Sequence, residues 1–134
     1  HSKEDMARAC LEGICINLRF ALDALKSISP VEGEMLVVGG GTKSPLWMQI
    51  FADTYNMPMI ETNVGQGAGS LGAAAIAAVA VGIWDNFDKI DDIHTVMQNK
   101  QPIPANVEQY ESLLPLHRKV SDLLSELGDY MENM

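Results

Sequence analysis

The chain has 134 residues, of which 47% are hydrophobic and 20% are charged, and its formal net charge is −9. This length and apolar share predict a small globular domain with a real core, and they exclude a disordered acidic tail. The negative charge argues against nucleic acid and anionic membrane as partners, but not against a bound nucleotide, whose phosphates can be met by backbone N–H groups and Mg²⁺.

The cysteines predict a reducing environment. Cys10 and Cys15 have a spacing typical neither of zinc sites nor of redox motifs. We expect both to be free, buried thiols in a reducing compartment, most simply the cytoplasm. The polar and acidic start does not resemble a signal peptide. The most apolar stretch, residues 71–81, is shorter than the roughly 20 residues of a membrane span and is predicted to be a buried helix.

The first predicted element is a helix that begins almost at once. Ser2 and Asp5 form a capping-box pattern, and proline at position 30 predicts an end near Ser29. A helix at the second residue suggests a fragment cut inside a larger fold. Apolar residues then recur at helical spacing: Met6, Cys10, Ile14, Leu18, Leu22 and Leu25.

A strand, a helix and a second strand are predicted next. Residues 34–38 form a short apolar run that ends in β-branched residues. Ser44 is the expected N-cap of the following helix, with Pro45 in its first turn. Asn56 is the expected C-terminal cap. Residues 57–61 then predict a second short strand.

The remaining elements are predicted to be mainly helical. Residues 63–69 form a glycine-rich loop that leads into a small-residue helix over residues 70–81. The acidic stretch 85–92 is predicted to be loop with a short turn, and residues 101–104 an extended link. Apolar residues at helical spacing then predict a terminal helix that Pro115 should kink or split.

Three consecutive glycines, Gly39, Gly40 and Gly41, stand between the first strand and the second helix. They miss the phosphate-loop pattern because Thr42 stands where glycine is needed, and they miss the dinucleotide pattern because of Ser44. One interpretation is a tight turn. The other is a place where bare main chain lies against a phosphate or nucleotide, with free N–H donors at the helix start.

Other candidate motifs carry little chemistry. Residues 67–72 match GxGxxG, but no strand run is visible after the helix, so we reject a dinucleotide fold there. Glu12, in the middle of the first helix, is interpreted as a solvated carboxylate. The histidines at 1, 94 and 117 have no metal-ligand spacing. No metal site and no catalytic residue is therefore predicted in this chain.

Three segments resemble the FGGY carbohydrate kinases, the xylulokinase and gluconokinase group. Residues 37–53 resemble the family's adenosine-binding segment, residues 8–13 its RAxxEG helix and residues 71–75 its LGAA helix. The resemblance implies an α/β fold: a partial actin-like or ribonuclease H-like ATPase domain, with helices packed on a short sheet. Residues 1–104 would then be a fragment of the nucleotide-side C-terminal domain, and residues 105–134 its helical tail.

The resemblance also implies an activity and a site. Family members transfer the γ-phosphoryl group of ATP, with Mg²⁺, to a sugar hydroxyl. Carried over, Gly40 and Gly41 would lie against the α-phosphate and ribose, Gly39 would permit the turn and Ser44 would lie near the adenine. Lys43 completes the expected nucleotide-binding residues.

The family's catalytic aspartate and most sugar contacts belong to a part that this sequence does not contain. We therefore expect the isolated chain to lack kinase activity, and its uncovered apolar surface to favour a homo-oligomer. Xylulose is the expected sugar, from the Lys-Ser-Pro-Leu-Trp form of the motif. Two alternatives stay open: a non-catalytic nucleotide-binding or regulatory α/β module, and a structural interaction domain.

Overall fold

The computed structural model describes residues 1–31 and 33–132. Its elements, in chain order, are α1 (Lys3–Ile28), β1 (Met35–Val37), α2 (Pro45–Tyr55), β2 (Met59–Thr62), α3 (Ala68–Ala80), α4 (Lys89–Ile93), β3 (Val96–Lys100) and α5 (Pro104–Glu132). Short 3-10 turns cover Gly40–Lys43 and Gly65–Gly67. The predicted α/β class with a short sheet is confirmed.

The chain groups into two compact units. Unit 1 comprises His1–Val31, Asp53–Asn56 and Pro102–Met134, and unit 2 comprises Glu32–Ala52 and Met57–Gln101. The division expected from the sequence, at residue 104, stays a prediction. In the described residues, no helix is both long and apolar enough to cross a bilayer.

Helix α1 of unit 1 begins and ends where its sequence signals predict. The Ser2 backbone N–H donates to the Asp5 carboxylate over 2.7 Å, and the Asp5 N–H donates to the Ser2 hydroxyl over 3.2 Å, which completes the capping box. Ser29, the C-cap, is extended as expected before a proline. Cys15 is buried, but Cys10 is exposed, so the expectation of two buried thiols is wrong for Cys10.

Pro115 was expected to kink or split the last helix. Helix α5 of unit 1 is continuous through Pro115, so the expected split is wrong, and a kink stays a prediction. A proline removes one backbone donor, and the 29-residue helix retains its other turns. Pro104 is its first residue rather than part of the preceding link, a position where the missing N–H costs nothing.

Asp53 binds the start of α5. It is only 3% exposed, and its carboxylate accepts from the Ile103 N–H over 2.8 Å and from the Asn106 amide over 2.7 Å.

Arg19 joins separate segments of unit 1. Its guanidinium contacts Asp23 at 2.7 Å and Glu111 at 3.0 Å, and it also donates to the Thr54 carbonyl. Burial works against the charge of Arg19, but the two carboxylates outweigh it and raise the arginine pKa. One side chain therefore connects α1, the residues around Thr54 and α5.

Unit 2 contains a three-stranded sheet in the order β1–β2–β3. β1 and β2 are parallel, with Met35 opposite Met59, and α2 provides the crossover between them. β3 is antiparallel to β2, with Ile60 opposite Asn99. The core of this unit includes Met48, Ile50, Met59 and Ile60.

The sequence analysis did not predict β3. Its residues, Val-Met-Gln-Asn-Lys, are largely exposed and mostly polar. An edge strand of this kind has no apolar alternation to indicate it. Asn63, just after β2, helps to fix its start: the Asn63 N–H donates to the Thr95 carbonyl over 3.0 Å, and the Asn63 side-chain oxygen accepts from the Thr95 N–H over 2.9 Å.

Candidate nucleotide-binding site

Two glycine-rich segments follow the carboxyl ends of neighbouring strands. The glycine turn, Gly39–Gly41, follows β1, and residues 63–67 follow β2. Because β1 and β2 are parallel and adjacent, both segments emerge at the same edge of the sheet. In α/β folds this edge, outside the carboxyl ends of the strands, is where ligands bind.

The glycine turn depends on backbone conformations that other residues avoid. Gly39 has φ 102° and ψ −175°, a region that is essentially reserved for glycine. A Cβ added at Gly39 or Gly40 would meet no atom within 4 Å, so the main chain is open there. A Cβ at Gly41 would lie 3.1 Å from the Trp47 ring. The expected room for a ligand is thus present at two of the three glycines and taken by Trp47 at the third.

Thr42 and Gln98 hold this turn, and the sequence indicated neither. Thr42 is 2% exposed, and its hydroxyl donates to the Gly39 carbonyl over 2.9 Å. The Gln98 amide, on β3, lies 3.4 Å from the Thr42 carbonyl and donates to the Glu61 carboxylate, on β2, over 3.1 Å. The sequence did hold one signal for Thr42: its hydroxyl stands three residues after Gly39, close enough along the chain to bond to the Gly39 carbonyl. Gln98 had no signal, because β3 was not predicted.

Ser44 is the N-cap of α2, as predicted. Its hydroxyl oxygen accepts from the Trp47 N–H over 3.3 Å, and its own N–H donates to the Gly41 carbonyl over 3.1 Å. Since Pro45 has no N–H, the helix start offers fewer free donors than expected. The Ser44 hydroxyl keeps its proton for another acceptor. Lys43, the fifth predicted residue, is exposed beside it.

Trp47 lies against the turn and stacks on Phe51, with ring centroids 5.8 Å apart and planes 21° from parallel. Its indole nitrogen is buried and has no hydrogen-bond partner among the described residues. The same ring occupies the space where a Gly41 Cβ would stand. Trp47 therefore reports on any change in the turn.

The GxGxxG match at 67–72 is not a dinucleotide-binding unit. Gly67 closes a 3-10 turn and α3 begins at Ala68. A strand does follow, contrary to the sequence expectation, but β3 is antiparallel to β2. A dinucleotide unit requires a parallel strand there, so topology supports the rejection on a different ground.

Glu12 is a structural group of unit 1 rather than a solvated carboxylate. One of its oxygens accepts from the Arg8 guanidinium over 2.7 Å and from the Tyr110 hydroxyl over 2.9 Å. Burial, with the Glu12 contact second, raises the pKa of Tyr110 to about 12. Among the described residues, no group of three or more His, Cys, Asp or Glu side chains is placed to hold a metal ion.

Solved structures with the same fold are sugar kinases of the actin-like ATPase type. Gluconate kinase from Lactobacillus acidophilus aligns with a TM-score of 0.82 at 29% identity, over 92% of this chain and 25% of that one. Plasmodium falciparum glycerol kinase, solved with ADP, aligns with a TM-score of 0.65 at 28% identity, over 78% of this chain and 22% of that one.

The model of the FGGY family of carbohydrate kinases, C-terminal domain, matches residues 1–81, which include the whole glycine turn. The chain belongs to this family. Xylulose kinase from Lactococcus lactis is 35% identical over 131 residues, which are 96% of this chain and 26% of the relative. The chain thus spans about a quarter of the length of the relatives it matches.

Proposed function

We propose that this chain supplies the adenosine side of the ATP site in a carbohydrate kinase that transfers the γ-phosphoryl group to a sugar hydroxyl. The observation that carries the proposal is the open main chain at Gly39 and Gly40, at the carboxyl edge of two parallel strands. Family membership supports it, as does the structural likeness to a glycerol kinase that was solved with ADP.

Each predicted residue has a proposed task in nucleotide binding. The main chain at Gly40 and Gly41 lies against the α-phosphate and ribose, with open space at Gly40 and the Trp47 ring beside Gly41. Gly39 provides the backbone bend. The Ser44 hydroxyl donates its free proton near the adenine, and the exposed Lys43 adds positive charge beside the phosphates.

The catalytic step depends on groups beyond this chain. Phosphoryl transfer relies on positioning and charge stabilisation from both sides of the substrate. We assign no catalytic residue here and expect the chain alone to be inactive. Mg²⁺ would be held mainly by the nucleotide phosphates, as is usual for this ion in phosphoryl-transfer sites.

Similar proteins are named as kinases of xylulose, gluconate and glycerol. Of these three substrates, we propose xylulose for this protein. A sugar panel assayed with the complete kinase and ATP tests this choice, and faster turnover of gluconate than xylulose would contradict it. We further propose a cytoplasmic location, since neither Cys10 nor Cys15 is in a disulfide in the described part of the chain, and a homo-oligomer. Several exposed apolar side chains on α5, such as Leu124 and Leu127, support self-association. A monodisperse monomer in sedimentation would contradict the proposed homo-oligomer.

Nucleotide binding can be tested with ADP and a non-hydrolysable ATP analogue. In a Trp84→Phe variant, Trp47 is the only tryptophan, so its fluorescence reports on the turn. We expect a saturable change with nucleotide and a loss of about tenfold or more in affinity on Gly39→Ala, because φ 102° is strained for alanine. Gly82→Ala is the matched control, since Gly82 also has positive φ, at 75°, but follows α3. Equal losses in both variants would contradict the proposal.

A further inference from the structure

We propose that Gln98 is a positioning residue for nucleotide binding: it holds the glycine turn in its binding geometry without touching the ligand. The inference rests on the function proposed above. Its basis is the place of the Gln98 amide nitrogen, 3.4 Å from the Thr42 carbonyl and 3.1 Å from the Glu61 carboxylate. Both neighbours are acceptors, so only the amide's NH₂ end can face them.

The Glu61 carboxylate fixes the direction of this amide. A charged acceptor makes the stronger and more oriented hydrogen bond of the two. The position of Glu61 is fixed by the sheet, where it stands opposite Gln98 in the register of β2 and β3. The second amide proton of Gln98 is then directed at the longer contact, the Thr42 carbonyl.

Thr42 passes this constraint to the first glycine. Its hydroxyl donates to the Gly39 carbonyl over 2.9 Å and its N–H donates to the same oxygen over 3.3 Å. These two bonds tie the start of the turn to its end. Anchoring the Thr42 carbonyl to β3 therefore limits the movement of the main chain at Gly39 and Gly40, where the nucleotide is proposed to lie.

Two variants separate this positioning role from a merely structural one. Gln98→Met keeps the length of the side chain but removes both donors. The exchange variant Gln98→Glu with Glu61→Gln keeps one amide and one carboxylate in contact, but the donor now stands at position 61. A carboxylate then faces the Thr42 carbonyl, which has lost its donor. Gln101→Met, a glutamine just after β3, is the matched control.

Affinity for ADP and the midpoint of urea unfolding are measured for each variant. We expect Gln98→Met to weaken ADP binding about 5- to 10-fold, the usual effect of one or two hydrogen bonds. The exchange variant should unfold near the wild-type midpoint and still bind ADP several-fold more weakly. Gln101→Met should bind within about twofold of wild type.

The outcomes discriminate between this inference and the proposed function. A wild-type chain that does not bind ADP overturns both. Wild-type binding with unchanged affinity in the exchange variant overturns the positioning role alone. Should Gln98→Met fail to fold, the exchange variant decides, and recovery of affinity together with stability would show that Gln98 is only structural.

Discussion

The two units of the chain are held in different ways. In unit 1, side chains make the long-range bonds: Asp53 fixes the start of α5, and Arg19 reaches Thr54 and Glu111. In unit 2, the turn depends on glycine conformations and on bonds to main-chain carbonyls, as at Gly39 and Thr42. Substitutions in unit 1 should therefore change stability alone, whereas those in the turn should change ligand affinity.

The largest expected effect on stability comes from Asp53→Ala in unit 1. It removes a buried carboxylate and leaves the Ile103 N–H and the Asn106 amide without their acceptor. We expect a loss of about 3 kcal/mol in the free energy of unfolding, measured by urea titration. Asp122→Ala, an exposed carboxylate on α5, is the control. A loss of ADP affinity in Asp53→Ala under folded conditions would contradict the separation of the two roles.

Gly40 and Gly41 give the sharpest contrast within unit 2. Gly41→Ala places a methyl group 3.1 Å from the Trp47 ring and should cost about 1–2 kcal/mol of stability, with a change in tryptophan fluorescence. Gly40→Ala meets nothing within 4 Å, so its stability should change by less than about 0.5 kcal/mol. Only a ligand would contact the new methyl group of Gly40→Ala.

Thermal unfolding and an ADP titration of these two variants separate the effects. Gly40→Ala should lose affinity and keep its stability. An unchanged affinity in Gly40→Ala would show that the open main chain at this glycine is not used by the nucleotide.

The two N-cap serines provide a smaller, matched comparison. Ser2, of unit 1, caps α1, and Ser44, of unit 2, caps α2. Substitution of either by alanine should cost about 1 kcal/mol in the free energy of unfolding. Only Ser44→Ala should also weaken ADP binding, by several-fold, because it removes the proposed donor to the adenine. Equal ADP affinity in the two variants would exclude that role for Ser44.

At neutral pH, the raised pKa values of the two buried tyrosines of unit 1 have the smallest effect on the free energy of unfolding. Burial is the main cause that raises the pKa of Tyr55 and of Tyr110 from 10.0 to about 12. The folded state thus holds each phenol proton more tightly than the unfolded state does. The resulting stability is complete below pH 10 and is lost as the pH rises towards 12.

This alkaline loss can be measured as the urea midpoint between pH 8 and pH 12. The double variant Tyr55→Phe, Tyr110→Phe should show a shallower fall over the upper two pH units than the wild type. A fall of the same size in both proteins would exclude the tyrosines as its source.

Local signals account for most of what the sequence predicted correctly. Ser2, Ser44 and Asn56 act on the backbone within a few residues, so the helix ends near them could be identified without tertiary information. β2 begins at Met59 rather than Met57, since the Met57 N–H still bonds to the Ala52 carbonyl at the end of α2.

The parts that were missed depend on contacts between distant residues. Nothing local distinguishes Gly41, which lies against Trp47, from the open Gly40. Gln98 meets Thr42 only because β3 pairs with β2, and the polar β3 carries no periodic signal. The glycine turn could therefore be located from the sequence, whereas the residues that hold it could not.

We infer that the main chain of residues 39–41 lies beneath a nucleotide. Titration of the ¹⁵N-labelled chain with Mg²⁺ and ADP, followed by amide chemical shifts, tests it directly. We expect saturable shifts that are largest between Gly39 and Ser44 and small along α1 and α5. Shifts confined to those two helices, or no shifts at millimolar ADP, would contradict it.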